Sequence, residues 1–241
     1  MGRHGTIAGR KSAQDARRAA MFTKYTRQII VAAKDGGDPE FNSSLRVAID
    51  KAKAIGMPND NINRAIKKGT GELAGESYDE LLFEGYGPSG VAVIVEALTD
   101  NKNRTAAFVR STFDKNGGNL GTPGCVSYMF SRKGVIFIEK NNNLDEDTVM
   151  MEALEAGAED MIVNQDNFEV RTEATDYHTV LDALKAVGYE IAESEVEFIP
   201  SMESKVDDEA TIKSLHKLID TLDDNDDVQR VSYNCDLPEI E

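Results

Sequence analysis

The sequence predicts an α+β protein built from several domains. Three observations support this class. Residues 13–69 space their apolar side chains at the helical period. After the stretch "GTGELAGES" the period changes to the two-residue alternation of strands. From residue 134 a second series of strands and helices follows, and 241 residues suffice for two or three separate cores.

The N-terminal part, residues 1–75, is predicted to be a three-helix domain. Residues 1–12 are rich in glycine and basic side chains and show no periodicity, so we expect a tail that is mobile when free. The first helix should run from about residue 13 to residue 34 and end near Gly36-Gly37.

The second and third helices are predicted from their N-terminal residues. Asp38-Pro39 has the pattern of an N-cap followed by proline at the first helical position, and Phe41 opens the apolar series that follows. The third helix, "DNINRAIKKG", should be capped by Asn59 or Asp60. Short connections between the three helices predict a small bundle.

Two α+β domains are predicted after residue 77. The segment "YDELLFEGYGPSGVAVIVEALTD" indicates two strands around a turn, followed by a helix and a strand around 125–130. Residues 134–199 then give strand, helix, two strands, helix and strand, the order of the ferredoxin-like split β-α-β unit. A last helix and strand would complete the earlier group if 134–199 were inserted into it. We therefore predict two ferredoxin-like α+β domains, one inserted in the other: 78–133 plus 200–241, and 134–199.

Charge is distributed unevenly along the chain. Residues 1–71 contain 14 Lys/Arg and 6 Asp/Glu, whereas residues 72–241 contain 13 and 37, and the whole chain has a net charge of −16. Such asymmetry indicates a basic arm that binds nucleic acid or another anionic surface, attached to an acidic body.

Basic side chains on the first helix form the candidate binding surface. Arg10, Arg17 and Lys24 recur every seven residues and therefore share one face, where they could neutralise successive phosphates. The alternative is a solvated helix face. The predicted nucleic-acid-binding residues are Arg3, His4, Arg10, Lys11, Arg17, Arg18, Lys24, Arg27, Lys67 and Lys68. Of these, Lys67 and Lys68 could instead complement the dipole at the end of the third helix.

Two loops are further candidates. In "LTDNKNRT", Asp100 or Asn101 can cap the next helix, and Lys102 and Arg104 lie beside that cap. The loop "KNGGNLGTPG", which contains Asn119, is either a plain connection or a loop shaped for close backbone contact. Both alternatives stay open.

Enzymatic chemistry finds little support in the sequence. The segment "GTIAGRKS" lacks the spacing of a phosphate-binding loop and no strand precedes it. The three histidines have no partner at metal-ligand spacing, and the acidic cluster "DDNDD" at 223–227 is expected to be a solvated turn. We expect no catalytic residue, no metal, no cofactor and no small-molecule substrate. We also expect a cytoplasmic monomer without a membrane segment.

Several motifs together resemble one family. The segments "GRKSAQDARRAAMFTKYTRQI", "GGDPEFNSSLRVAIDKAKAIGMPNDNINRAIKKG", "FEGYGPSG", "LTDNKNRT", "KNGGNLG" and "ALEAGAED" occur in this order. In this combination the chain resembles the YebC/PmpR family over essentially its whole length. Family members usually begin with Gly-His-Ser-Lys-Trp, whereas this chain begins "MGRHGTI" and contains no tryptophan.

The resemblance implies an all-helical N-terminal domain and two α+β domains in a non-enzymatic regulator of gene expression. Bacterial members are described as probable DNA-binding transcriptional regulators. The alternative function for the family is a ribosome-associated translation factor that binds ribosomal RNA and assists synthesis of proline-rich stretches; mitochondrial relatives are translational activators of a cytochrome oxidase subunit. The sequence shows no evident helix-turn-helix, which favours RNA over DNA.

Overall fold

A computed structural model of the chain describes residues 7–141 and 144–238, with side chains from residue 18 onward. The chain divides into two compact units. The first contains the chain up to Cys125 and Val206–Val231, and the second contains Val126–Lys205 and Ser232–Asp236. The predicted α+β class is confirmed, because a helical N-terminal region precedes two four-stranded antiparallel sheets.

Three helices form the N-terminal region: α1 (Ile7–Ala32), α2 (Ser43–Ala54) and α3 (Asn59–Gly69). Helix α1 packs against both α2 and α3. Their common core is aliphatic, and Ile29, Leu45, Ile49 and Ile62 are each 7% exposed or less. These residues follow the helical period, so the amphipathic pattern in the sequence accounts for this core.

The first helix begins earlier than predicted. Its backbone is helical from Ile7, so the predicted tail of residues 1–12 was too long. Residues 7–14 include alanine, arginine and lysine, which favour helix strongly enough to extend it outward past Gly9. At its other end α1 passes into a short 3-10 turn, Ala33–Asp35, and stops at Gly36, close to the predicted position.

The predicted start of the second helix was wrong. Asp38 instead forms a turn, in which its side chain accepts a hydrogen bond from the Glu40 amide. The N-cap is Asn42, whose Oδ1 accepts from the Leu45 amide at 2.9 Å. Asn42 also donates to backbone carbonyls at the end of α1, so its side chain links α1 to the start of α2. Phe41 lies outside the helix and is 90% exposed.

The third helix is preceded by Pro58, which occupies the N-cap position without a side-chain cap. The predicted capping by Asn59 or Asp60 was therefore wrong, since both residues lie inside the first turn.

Eight strands and four helices form the rest of the described chain. The strands are β1 (Asp79–Tyr86), β2 (Ala92–Thr99), β3 (Asn119–Leu120), β4 (Phe130–Glu139), β5 (Asp160–Val163), β6 (Asn167–Glu173), β7 (Ile191–Pro200) and β8 (Val228–Tyr233). The helices are α4 (Lys102–Lys115), α5 (Glu146–Ala156), α6 (Tyr177–Val187) and α7 (Glu209–Asp223).

The first sheet has the strand order β3-β1-β2-β8, with the predicted hairpin β1–β2 at its centre. The strand predicted around 125–130 was misplaced. The strand that pairs with β1 is the short β3, whose Asn119 lies opposite Tyr86. Residues 127–129 form a 3-10 turn, and the Cys125 carbonyl accepts from the Tyr86 hydroxyl and not from a strand.

The second sheet has the strand order β5-β6-β4-β7. Its chain order, β4-α5-β5-β6-α6-β7, is the predicted split β-α-β arrangement. Ile136, Ile138, Phe168 and Val170 lie on one face of this sheet and are buried. No helix within the described ranges is long and apolar enough to cross a membrane.

Candidate nucleic-acid interface

The predicted basic residues fall into two groups. Arg3 and His4 lie outside the described residues. Arg10, Lys11 and Arg17 lie in α1, where the structure describes their backbone but not their side chains. Their role in binding therefore stays a prediction. The other five predicted residues have described side chains.

Arg18 lies against the C-terminal end of α2. Its Nε donates to the carbonyl of Ile55 at 3.2 Å, and its Nη2 lies 3.4 Å from the carbonyl of Gly56. The guanidinium also stacks on Phe22, 5.5 Å from the ring centroid. A cation at this end complements the helix dipole, so Arg18 helps hold α1 against α2.

Lys24 and Arg27 contact the acidic turn that precedes β8. The Lys24 ammonium donates to the backbone carbonyl of Asp223 at 2.8 Å. The Arg27 Nη1 donates to the Asp227 carboxylate at 2.5 Å and to the carbonyl of Asp226 at 2.7 Å. To bind phosphate, these two side chains would first have to leave these partners.

Asp227 lies at the centre of a buried polar network. Its Oδ2 accepts from the hydroxyl of Thr105 at 2.7 Å, from the hydroxyl of Thr99 at 3.2 Å and from Nη2 of Arg104 at 2.8 Å. Its Oδ1 accepts from Arg27, and its side chain is only 5% exposed. The prediction that "DDNDD" is a solvated turn is therefore wrong for this residue.

Burial and hydrogen bonding act in opposite directions on Asp227. Burial by itself raises the pKa of a carboxyl group, but hydrogen bonds from Arg104, Thr105 and Arg27 outweigh it, so the pKa of Asp227 lies below its usual value. The same bond to Asp227 raises the pKa of Arg104. Partial burial lowers the pKa of Lys24, although acidic neighbours oppose that change. Asp227 is thus held as a carboxylate between two arginines.

A cleft of about 510 Å³ opens beside this network. It is lined by Arg27, Glu76, Tyr78, Asp100, Arg104, Asp224, Asn225, Asp226 and Asp227. Acidic side chains outnumber the two arginines, and both arginines are paired with Asp227. The cleft therefore repels phosphate and is a poor candidate for binding nucleic acid.

Helix α3 presents a different surface. Lys67 and Arg64 are exposed and form no ion pair with any described residue, and Lys68 is half-buried beside them. Residues three and four apart lie together on a helix, so Arg64 adjoins both lysines. Asn63 is exposed next to Arg64. Arg64 was not among the predicted residues, although its spacing from Lys67 and Lys68 was a usable signal.

Helices α2 and α3 are joined by four residues, Ile55–Pro58. Gly56 adopts φ 76°, a left-handed conformation that glycine accepts at little cost. A four-residue turn containing glycine is typical of a helix-turn-helix connection, in which the second helix reads nucleic acid. The short connection itself was predicted from the sequence, but it was not interpreted there as a helix-turn-helix.

The candidate loop residues have structural partners. Asn101 caps α4 through the Arg104 amide, as predicted for Asp100 or Asn101. Lys102 lies 3.4 Å from Asp79, and the Arg104 side chain belongs to the Asp227 network. Asn119 is exposed in β3.

The glycine-rich loop around Asn119 is packed closely against β1. A Cβ on Gly85 would lie 2.6 Å from the Asn119 carbonyl oxygen, and one on Gly118 would lie 2.5 Å from the Tyr86 carbonyl oxygen. The buried Glu84 carboxylate accepts from the Gly124 amide at 2.8 Å. These close contacts leave no room for a side chain at positions 85 and 118, so packing within the protein accounts for the glycines there.

Known proteins resemble this chain over nearly its full length. Residues 3–72 match the TACO1/YebC N-terminal domain, and residues 78–235 match the TACO1/YebC second and third domain. A probable transcriptional regulatory protein of Clostridioides difficile is 54% identical, covering 98% of this chain and 100% of that protein. A probable transcriptional regulatory protein of Persephonella marina is 53% identical, with coverages of 96% and 93%.

A solved structure shares the fold. The crystal structure of a conserved hypothetical protein from Aquifex aeolicus has a TM-score of 0.84 and 44% identity, and the match covers 94% of this chain and 93% of that one. The helical N-terminal region, the two α+β sheets and the matched sequence together define a multidomain α+β protein. The chain belongs to the TACO1/YebC family.

Proposed function

We propose that this protein is a non-enzymatic regulator of gene expression that binds nucleic acid through its helical N-terminal region. The observation that carries the proposal is the exposed basic face of α3, which follows a glycine-containing turn after α2. The names of the relatives, probable transcriptional regulatory proteins, support the regulatory part.

The chemistry of α3 suits duplex DNA. Its first turns expose Asn59 and Asn63, and amide side chains pair with adenine edges in the major groove. Arg64 can pair with guanine or with phosphate, and Lys67 can contact phosphate. In this arrangement α3 is the reading helix, and the basic residues of α1, including Arg10, Lys11 and Arg17, bind the sugar-phosphate chain.

Titration of DNA binding against salt tests the proposal. Arg64→Ala with Lys67→Ala should reduce the slope of log affinity against log salt by about 0.9 for each phosphate that is no longer neutralised. The matched control is Arg110→Ala with Lys115→Ala, which removes the same charge from exposed positions of α4. Equal slopes for the two double variants would exclude α3 as the binding surface.

A second candidate is a ribosome-associated translation factor that binds ribosomal RNA and assists synthesis of proline-rich stretches. The observation that favours it is charge separation. Residues 72–241 contain 37 acidic and 13 basic side chains, so the excess of positive charge is confined to residues 1–71. A single basic region suits a local contact with structured RNA.

Sedimentation of the full chain with ribosomes distinguishes the two candidates. Salt-sensitive co-migration that Arg64→Ala with Lys67→Ala abolishes, together with weak binding to duplex DNA, would favour the translation factor. Tight duplex binding without co-migration would favour the transcriptional regulator.

A further inference from the structure

Helix α5 in the second unit exposes an apolar surface that the fold does not use. Met150, Met151 and Leu154 are 37%, 61% and 48% exposed, whereas Val149 and Ala153 on the inner side of the helix are fully buried. Helix α5 packs through Val149 and Ala153, whereas most of the Met151 side chain and about half of Leu154 remain open to solvent. We call Met150, Met151 and Leu154 the α5 patch.

The position of the patch follows from helical geometry. Met151 and Leu154 are three residues apart, and Met150 and Leu154 are four apart, so the three side chains adjoin. A contiguous group of large apolar side chains on the outside of a helix is typical of an interaction surface. Methionine adapts to partners of different shape because its side chain is unbranched and flexible.

Charge around the patch identifies the kind of partner. Helix α5 contains four acidic residues and no basic one. Asp147 lies one turn before Met151, and Glu155 follows Leu154; both are exposed. The wider surroundings are also acidic, since residues 126–205 contain 18 Asp/Glu and 6 Lys/Arg. A nucleic acid would be repelled here, whereas a cationic protein segment would be attracted.

We propose that the α5 patch docks a protein segment that forms a cationic amphipathic helix. Its apolar face would cover Met150, Met151 and Leu154, and its lysine or arginine side chains would pair with Asp147 and Glu155. Such a contact would place apolar side chains at its centre and charged pairs at its rim. The inference is independent of the proposed nucleic-acid binding.

Fluorescence anisotropy of the full-length protein with a labelled 18-residue Leu/Lys amphipathic peptide tests the docking surface. Met151→Ser with Leu154→Ser should weaken binding about tenfold or more, because both side chains lose apolar burial. Asp147→Asn with Glu155→Gln should weaken it about threefold and lower its salt dependence. The control is Leu73→Ser with Leu82→Ser, two leucines each 42% exposed in the other unit, which should bind as the wild type does.

Three outcomes would overturn the proposal. One is unchanged peptide affinity in Met151→Ser with Leu154→Ser while far-UV circular dichroism shows an intact fold. The second is equal affinity for a scrambled peptide of the same composition, since attraction would then depend on net charge alone. The third is a concentration-dependent dimer in sedimentation velocity that the same double variant abolishes, which would assign the patch to a second copy of this chain.

Discussion

Replacing Asp227 with asparagine should destabilise the first unit, because this substitution removes one charge while nearly preserving side-chain shape. The wild-type carboxylate accepts hydrogen bonds from Arg27, Arg104, Thr99 and Thr105 and is 5% exposed. The asparagine amide cannot accept all four bonds, and Arg27 would be left as a buried cation without its counter-ion.

The expected destabilisation follows from the burial of each partner. A hydrogen bond to a charged group contributes about 1.5–3 kcal/mol when it is protected from solvent. Arg27 is 12% exposed and should count in full, whereas Arg104 is 51% exposed and should contribute about 0–1 kcal/mol. We therefore expect Asp227→Asn to lower the free energy of unfolding by about 1.5–4 kcal/mol.

Urea denaturation at pH 7 measures this change in stability. Far-UV circular dichroism and tyrosine fluorescence can follow it, since the protein contains no tryptophan. Asp226→Asn is the matched control: it changes the same charge, but Asp226 is exposed and accepts from Arg27 through its backbone carbonyl. If the two variants unfold within about 0.5 kcal/mol of each other, the Asp227 network does not stabilise the unit.

Acid and backbone perturbations give two further expected outcomes. The pKa of Asp227 is lower in the folded state than the usual value of about 3.9, so its contribution to stability is present above that pH and disappears as pH falls through the lowered pKa. The difference in unfolding free energy between wild type and Asp227→Asn, measured by urea titration, should therefore narrow below about pH 4. Gly85→Ala should lower the free energy of unfolding by about 1–3 kcal/mol, because the new methyl group would meet the Asn119 carbonyl oxygen at 2.6 Å. Gly75→Ala meets only the flexible side chain of Lys68 at 2.9 Å and should cost less in the same assay; equal destabilisation by the two variants would contradict the clash at Gly85.

Local sequence patterns predicted a helix cap correctly where no other nearby residue formed a stronger capping interaction. The segment "LTDNKNRT" limited the cap of α4 to Asp100 or Asn101, and Asn101 forms it, since this asparagine and the amide it accepts from are only three residues apart. The equally local pattern Asp38-Pro39 failed. Asn42 forms the cap instead, because its side chain bonds both the Leu45 amide and the end of α1, and the second partner is not encoded by local spacing.

At the candidate interface, too, local spacing was informative but contacts with distant residues could not be predicted. Lys67 and Lys68, which the sequence predicted as candidates, lie near the exposed Arg64 on α3. The sequence also grouped Lys24 and Arg27 with them as free cations, because helical periodicity places residues on a face but does not state what that face contacts. Their partners lie about 200 residues further along the chain, in the turn before β8.

The sequence by itself determined the fold class, the family and the separation of a basic N-terminal region from an acidic remainder. Periodicity, motif order and charge count are properties of the chain in one dimension, so they can be read without coordinates. Only the tertiary structure decided which cationic side chains are bound by partners within the protein and which are exposed. The reason is that the environment of Asp227 is set by long-range packing, which turns an apparently solvated carboxylate into a buried partner for Arg27.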